Sequence, residues 1–224
     1  MPFMMSMNTI DRVDSDTIEA AATLDPNDLG HHFHFGFTTP EIQFMETTEP
    51  VEMVGQVVTV RIPPEDSTMV HKATEIAEPG DVIVVDMQGH TTNAPWGEMT
   101  TRAAIESGVT GAVIDGSITD SREIDELEFP VYARGKSART TRLHGRGGEI
   151  NSPVQIGGSV VNPGDIAIGN EDGVLFLRRE KVDEAIEYCK EVKSQEEETI
   201  QKLESGASLA DLTAANELLD QAGD

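Results

Sequence analysis

From residue 51 onward the chain alternates β-branched runs with helix-patterned segments, and this alternation constrains the fold more than any other feature. VEMVGQVVTVRI at 51–62 reads as a strand, and PPEDST follows as a helix entry. Helix 66–77 stops at Pro79-Gly80, since proline cannot continue a helix and glycine accepts the turn after it. DVIVVDM at 81–87 is a short strand of the buried type, and the loop QGHTTNAP leads into helix 97–107. GVTGAVID at 108–115 is the next strand, followed by the loop GSITD, helix 121–127 and strand 130–134, PVYAR. Successive βαβ steps predict an α/β fold with a parallel sheet. Loops gather at the carboxyl ends of its strands, the natural place for a ligand.

The flanks have a different texture. Residues 14–24 form a short helix, DPNDLG at 25–30 is turn chemistry, and HHFHFGF at 31–37 alternates histidine with phenylalanine. His31, His32 and His34 have the chemistry of metal ligands, but an aromatic-rich segment packed at a subunit contact is the preferred reading. After residue 150, short β runs broken by Gly, Pro and Asn suggest hairpins in a second β layer. Residues 180–204 form a long helix with Val182, Ala185, Ile186, Cys189, Ile200 and Leu203 near one face. Ser208 is placed to cap a last short helix, LADLTAANELL. The expected organisation is an N-terminal extension (1–50), a main α/β domain (51–204) and a helical tail (205–224).

Charge excludes several functions. Forty-one acidic against sixteen basic side chains give a formal charge of -25, so a nucleic-acid backbone or an anionic membrane surface is an unsuitable partner. The first residues lack a basic leader pattern, and no apolar run approaches the ~18 residues of a spanning helix, so a cytoplasmic location is expected. Cys189 is the only cysteine, which excludes an internal disulfide. Acid spread along the whole chain reads as adaptation to high salt, where self-repulsion is screened. Loss of structure at low ionic strength is therefore expected, and a circular dichroism melt unchanged between dilute buffer and molar KCl would contradict it.

Two places carry candidate chemistry. Gly97 opens a helix directly after a strand and loop, leaving the amides of Gly97, Glu98, Met99 and Thr100 as helix-start donors suited to a carboxylate or phosphate. An ordinary solvated helix start has the same local sequence. Asp115 and Asp120 flank the exit of the following strand in VIDGSITD, with Gly116 allowing a sharp turn. A hard divalent cation takes oxygen ligands, often one or two carboxylates with retained water. Asp120 is equally placed to N-cap helix 121–127. His90 reads as an exposed loop residue, Trp96 as a wall or subunit contact, and Cys189 as core. Arg134 and Arg139 suit either anion contact or loop hydrogen bonding.

Taken together, PGDVIVVD, WGE, GVTGAVIDG, the aspartate at 120, FPVYARG and PGDIAIGNEDGVLFLRRE resemble the RraA-like family. That family includes class II 4-hydroxy-4-methyl-2-oxoglutarate aldolases and the regulator of ribonuclease activity A. The match runs in order from about residue 51 to 204. The resemblance implies a compact α/β/β sandwich of the phosphohistidine-like swivelling type with a long C-terminal helix, assembled as homotrimers or homohexamers with sites at subunit interfaces. It also implies Mg²⁺ or Mn²⁺ at Asp120, with Glu98 near the metal's water shell and Glu196 as an acid supplied by a neighbouring subunit. The substrate carboxylate would rest on the amides of Gly97, Glu98, Met99 and Thr100.

One departure matters. The family pattern sets an arginine before the metal-binding aspartate, and this chain has Thr119 there. Threonine cannot balance developing enolate charge, so Arg122 or Arg102 would have to act from another direction. The expectation is a divalent-metal-dependent lyase acting on a small 2-oxo acid through a pyruvate enolate, by aldol cleavage or oxaloacetate decarboxylation. Its rivals are a non-catalytic binding protein of the ribonuclease-regulator type and a same-fold enzyme with altered substrate.

Overall fold

The computed structural model describes residues 5–45 and 52–222. Along the chain, the N-terminal part gives β1 (Met5–Met7), α1 (Ser15–Ala21), α2 (Pro26–Leu29) and β2 (Gln43–Phe44). The alternating part gives β3 (Met53–Arg61), α3 (Thr68–Ile76), β4 (Asp81–His90), α4 (Glu98–Glu106), β5 (Gly111–Ile118), α5 (Ser121–Glu126) and β6 (Val131–Lys136). Five short strands follow: β7 (Gly148–Ile150), β8 (Val154–Ile156), β9 (Ser159–Val161), β10 (Ile166–Asn170) and β11 (Gly173–Leu177). The chain ends in α6 (Val182–Glu204), α7 (Leu209–Leu212) and α8 (Ala215–Ala222).

The predicted parallel sheet is present. Strands β3, β4, β5 and β6 pair in that order, all parallel, at the centre of a sheet ordered β1-β7-β3-β4-β5-β6-β2. Alternation sorts its side chains into two cores. Val58, Val60, Ile83, Val85, Ile114 and Ile118 face α3, α4 and α5, whereas Val57, Val82, Val84 and Val113 meet the β8–β9 hairpin. Helices on one face and a small β layer on the other make the α/β/β sandwich.

Several elements depart from the sequence reading. β5 runs on to Ile118, so Gly116 is a strand residue and not a turn. A side chain there would meet Met87 Sδ at 2.7 Å and the His90 carbonyl at 2.9 Å, so close strand approach explains the glycine. Of the two late hairpins only β8–β9 forms the second layer. β10 joins the main sheet antiparallel to Met53–Gln56, on the edge of β3 that β7 leaves uncovered. Residues 5–45 also pack into the same body. β1 and β2 extend the sheet, and Ala21, Leu24 and Leu29 share a core with Ile166, Leu175 and the first turns of α6.

The long helix is apolar only where it has a partner. Val182, Ala185 and Cys189 are buried against α1 and α2, while Ile200 and Leu203 are exposed. The last predicted helix is split at Thr213 into α7 and α8, with Ser208 accepting from the Asp211 amide as expected of a cap. Burial raises the pKa of the Cys189 thiol. No described helix is long and apolar enough to cross a membrane.

Candidate functional site

The start of α4 and the start of α5 meet beside the end of β5. Trp96 forms an isolated parallel bridge with Ile118, and the Thr119 amide donates to the Trp96 carbonyl at 2.9 Å. This clamp leaves almost no room at Gly97. A Cβ there would stand 2.6 Å from both Asp120 Oδ2 and Thr119 Cγ2, so glycine is required by the close approach of the α5 entry. Beneath it, Trp96 is fully buried, donates from Nε1 to the Thr101 hydroxyl at 2.8 Å and stacks on Phe129. The indole is thus core, not the wall or subunit contact expected of it. Its anchoring sets the position of the helix start.

Asp120 occupies the N-cap position of α5, but its side chain makes no capping bond. Its backbone is left-handed, with φ 53° and ψ 39°, a conformation that Asp tolerates better than most residues. That twist turns the carboxylate across to α4, where Oδ2 accepts from the Glu98 amide at 3.1 Å. Oδ1 accepts from the Thr119 hydroxyl at 3.2 Å. An ionised carboxylate has about four lone-pair directions, so two stay open to solvent or a ligand.

The helix-start amides divide into two kinds. Gly97 donates to the Thr100 hydroxyl at 2.8 Å, and Glu98 donates to Asp120. The expected run of four open donors is therefore narrower, because the chain itself uses two. Met99 and Thr100 have no protein acceptor among the described residues. Their N–H groups lie at the positive end of a helix of nine residues, next to the Asp120 carboxylate.

Around this centre the charged side chains fall in different places. Glu98 is partly buried and accepts from Arg102 Nε at 2.8 Å, one turn along α4. Arg122 is 80% exposed and pairs with Glu123 at 3.0 Å and Glu126 at 3.8 Å along α5. Arg102 is therefore linked to the site through Glu98, and Arg122 is not. Glu196 is exposed in the distal half of α6, in the layer of α1 and α2 and not that of α4 and α5. No described group of three His, Cys, Asp or Glu side chains is arranged to hold a metal. A single carboxylate with spare lone pairs nevertheless fits a hard cation that keeps most of its water.

Other candidates are engaged elsewhere. Asp115 does not join Asp120: it is buried on the opposite face of β5, ion-paired to Arg134 and within 3.4 Å of the Gly157 amide. Arg134 also pairs with Glu41, so in this structure its guanidinium is engaged within the chain. His90 meets the Asn93 amide at 3.3 Å, and His71 faces solvent. His32 stacks on Tyr188 with ring centroids 4.2 Å apart and bonds to Glu184 at 3.2 Å.

One structural carboxylate escaped the sequence reading. Asp66, completely buried, accepts from the Thr68 hydroxyl and from the amides of Thr68, His144 and Arg146. Burial pushes its pKa up, but these hydrogen bonds, led by the Thr68 hydroxyl, outweigh it and hold the group at about 2. The Asp-Ser-Thr run at 66–68 is the local signal that could have revealed it, since Asp accepting from the residue two ahead is a common turn.

Comparison with known proteins gives a consistent picture. The family model for RraA-like proteins, described as Aldolase/RraA, matches residues 20–176. A Halalkalibacterium halodurans protein named "Putative 4-hydroxy-4-methyl-2-oxoglutarate aldolase" is 33% identical over 162 residues, covering 72% of this chain and 77% of that protein. The structure of the RNA-processing inhibitor RraA of Thermus thermophilus superposes with a TM-score of 0.61 at 25% identity, over 68% of this chain and 90% of that one. Streptomyces coelicolor RraAS2, described as an unusual member of the RNase ES inhibitor RraA family, gives 0.74 at 21% identity, over 85% and 98%.

Proposed function

The chain belongs to the RraA-like family, and from that premise we propose that it is a divalent-metal-dependent lyase acting on a small 2-oxo acid. The observation that carries the reading is the Asp120 carboxylate, turned by its left-handed backbone onto the start of α4 beside the open amides of Met99 and Thr100. A relative named as an aldolase gives the reaction class at family level.

In this reading Asp120 would hold Mg²⁺ or Mn²⁺, and Glu98 would be the acidic neighbour available to the ion's water. When bound, the cation supplies Lewis-acid polarisation of the substrate's 2-oxo group. The protein's own part is positioning and charge. The amides of Met99 and Thr100 take the substrate carboxylate, held rigid by the Gly97–Thr100 and Trp96–Thr101 bonds beneath them. Cleavage of the carbon–carbon bond leaves negative charge as a pyruvate enolate. Arg102, tied to Glu98, is the cation closest in connectivity to offset it, whereas Arg122 is occupied by α5 acids. Glu196 would reach such a site only from another copy, which makes a homotrimer or homohexamer with shared sites part of the proposal.

A second reading has one observation in its favour. Thr119 stands where the family pattern has arginine, and its hydroxyl only orients Asp120. A non-catalytic regulator, or a same-fold enzyme with another substrate, needs no cation there. Pyruvate release from oxaloacetate and from 4-hydroxy-4-methyl-2-oxoglutarate, in molar KCl with and without Mn²⁺, separates the readings. Metal-dependent release that vanishes in Asp120→Ala is expected. No release from either substrate by folded protein would move the regulator or altered-substrate reading ahead.

A further inference from the structure

Residues 129–148 contain no aspartate or glutamate, yet carry Arg134, Lys136, Arg139, Arg142 and Arg146, five of the sixteen basic residues of a chain with charge -25. Most arginines of this protein are neutralised by its abundant acids: Arg12, Arg61, Arg102, Arg122, Arg134, Arg146 and Arg179 all form ion pairs. Arg178 lies in the field of Asp165. Arg139 and Arg142 have no carboxylate partner among the described residues. Both line one cleft of about 470 Å³, together with Asn93, Thr140, His144 and Glu65.

The segment bearing them is braced as a free surface loop would not be. The Arg139 carbonyl accepts from the Ala94 amide at 2.8 Å, and the Thr141 amide donates back to Ala94 at 3.1 Å. Arg142 exchanges backbone bonds with Glu65 and Ser67, each at 3.0 Å. Just beyond, buried Asp66 gathers the His144 and Arg146 amides. Asn93, itself buried, is oriented by donating to the Pro64 carbonyl at 3.0 Å. The one acid at the cleft, Glu65, is taken by Arg146 at 3.3 Å. Two uncompensated guanidiniums thus extend from a braced backbone around a concave space, so the ordering of the segment that carries them is met in the fold before any ligand arrives.

We propose that the cleft between the pre-α4 loop and the Arg139–Arg142 segment is a binding site for a small dianion, a dicarboxylate or a phosphate ester. Each guanidinium is matched to a planar or tetrahedral oxyanion by paired N–H donors, and the Thr140 hydroxyl adds a neutral polar contact. The proposal is independent of the lyase reading, because none of these residues contributes to the Asp120 centre.

Isothermal titration calorimetry of the full chain at fixed KCl, with malonate and with inorganic phosphate as probes, tests it. Saturable binding is expected, weakened roughly tenfold or more in R139Q/R142Q, as for loss of charge-assisted pairs. It should be unchanged in R179Q, which removes an exposed arginine elsewhere. Saturation by malonate alone assigns the site to carboxylates, and by phosphate alone to phosphate esters; either supports it. No saturation by either probe, or saturation that survives in R139Q/R142Q, overturns it. So does a change of sedimentation in R139Q/R142Q without anion binding, which would make the basic segment a contact with the acidic surface of a second copy.

Discussion

Asp115 and Asp120 leave the same strand, one buried within β5 and the other just past its end, and the chain treats their carboxylates in opposite ways. Asp115 belongs to a charged row across the carboxyl edge of the sheet. Arg61, Asp86 and Asp115 are register partners on β3, β4 and β5, and Arg134 on β6 closes the row. Every carboxylate in it is buried and answered. Asp86 takes Arg61 at 3.2 Å and the Gln88 amide at 2.8 Å, and Asp115 takes Arg134 and the Gly157 amide. Asp120, in contrast, is exposed, holds two hydrogen bonds and no ion pair among the described residues, and pays for its position with a left-handed backbone. A carboxylate whose lone pairs are filled from within serves the fold. One kept partly open at a local conformational cost is available for a ligand.

The largest expected effect is on the closed row. Arg134→Met leaves Asp115 buried without its guanidinium, and removal of one partner from a buried pair costs about 3–5 kcal/mol. Chemical denaturation should show that loss; a cost below about 1 kcal/mol would mean that water reaches Asp115 and the contrast with Asp120 is false. Next comes Asp66. Its pKa of about 2 lies below the ordinary 3.8, so its stabilisation is complete above pH 4 and is lost as pH falls through 2. The difference corresponds to roughly 2 kcal/mol. Stability measured from pH 5 to 2 should fall less steeply in Asp66→Asn than in the parent chain. Parallel curves would remove Asp66 as the source.

How much of this was legible in sequence follows from what each signal depends on. The parallel core came through because the short Val- and Ile-rich runs at 81–87 and 108–115, the first set off by Pro79-Gly80, depend on local chemistry. The pairing of β10 with β3 did not, because it depends on which edge β7 leaves free, a fact of tertiary structure. The second half of α6 misled for a related reason. Ile200 and Leu203 fall at helical spacing, but spacing does not say whether another element lies opposite, and among the described residues both side chains stay exposed. At the candidate site, WGE and the aspartate at 120 were readable as motifs. The occupation of the Glu98 amide by Asp120 was not, since it follows from a left-handed backbone that Thr-Asp does not announce.

The smallest stability effect should come from the residue with the largest functional one. Asp120→Asn keeps an oxygen to accept the Glu98 amide and keeps a residue that tolerates the left-handed conformation, while it removes the charge. Its unfolding free energy should stay within about 1 kcal/mol of the parent chain, the range for an exposed polar change. Metal-dependent pyruvate release, if the lyase reading holds, should be lost. A full stability match to Arg134→Met would place both aspartates in the structural class, and the open lone pairs of Asp120 would then be an accident of exposure. Intact stability with lost turnover would show that the charge at Asp120 is kept for chemistry, because nothing in the fold then depends on it.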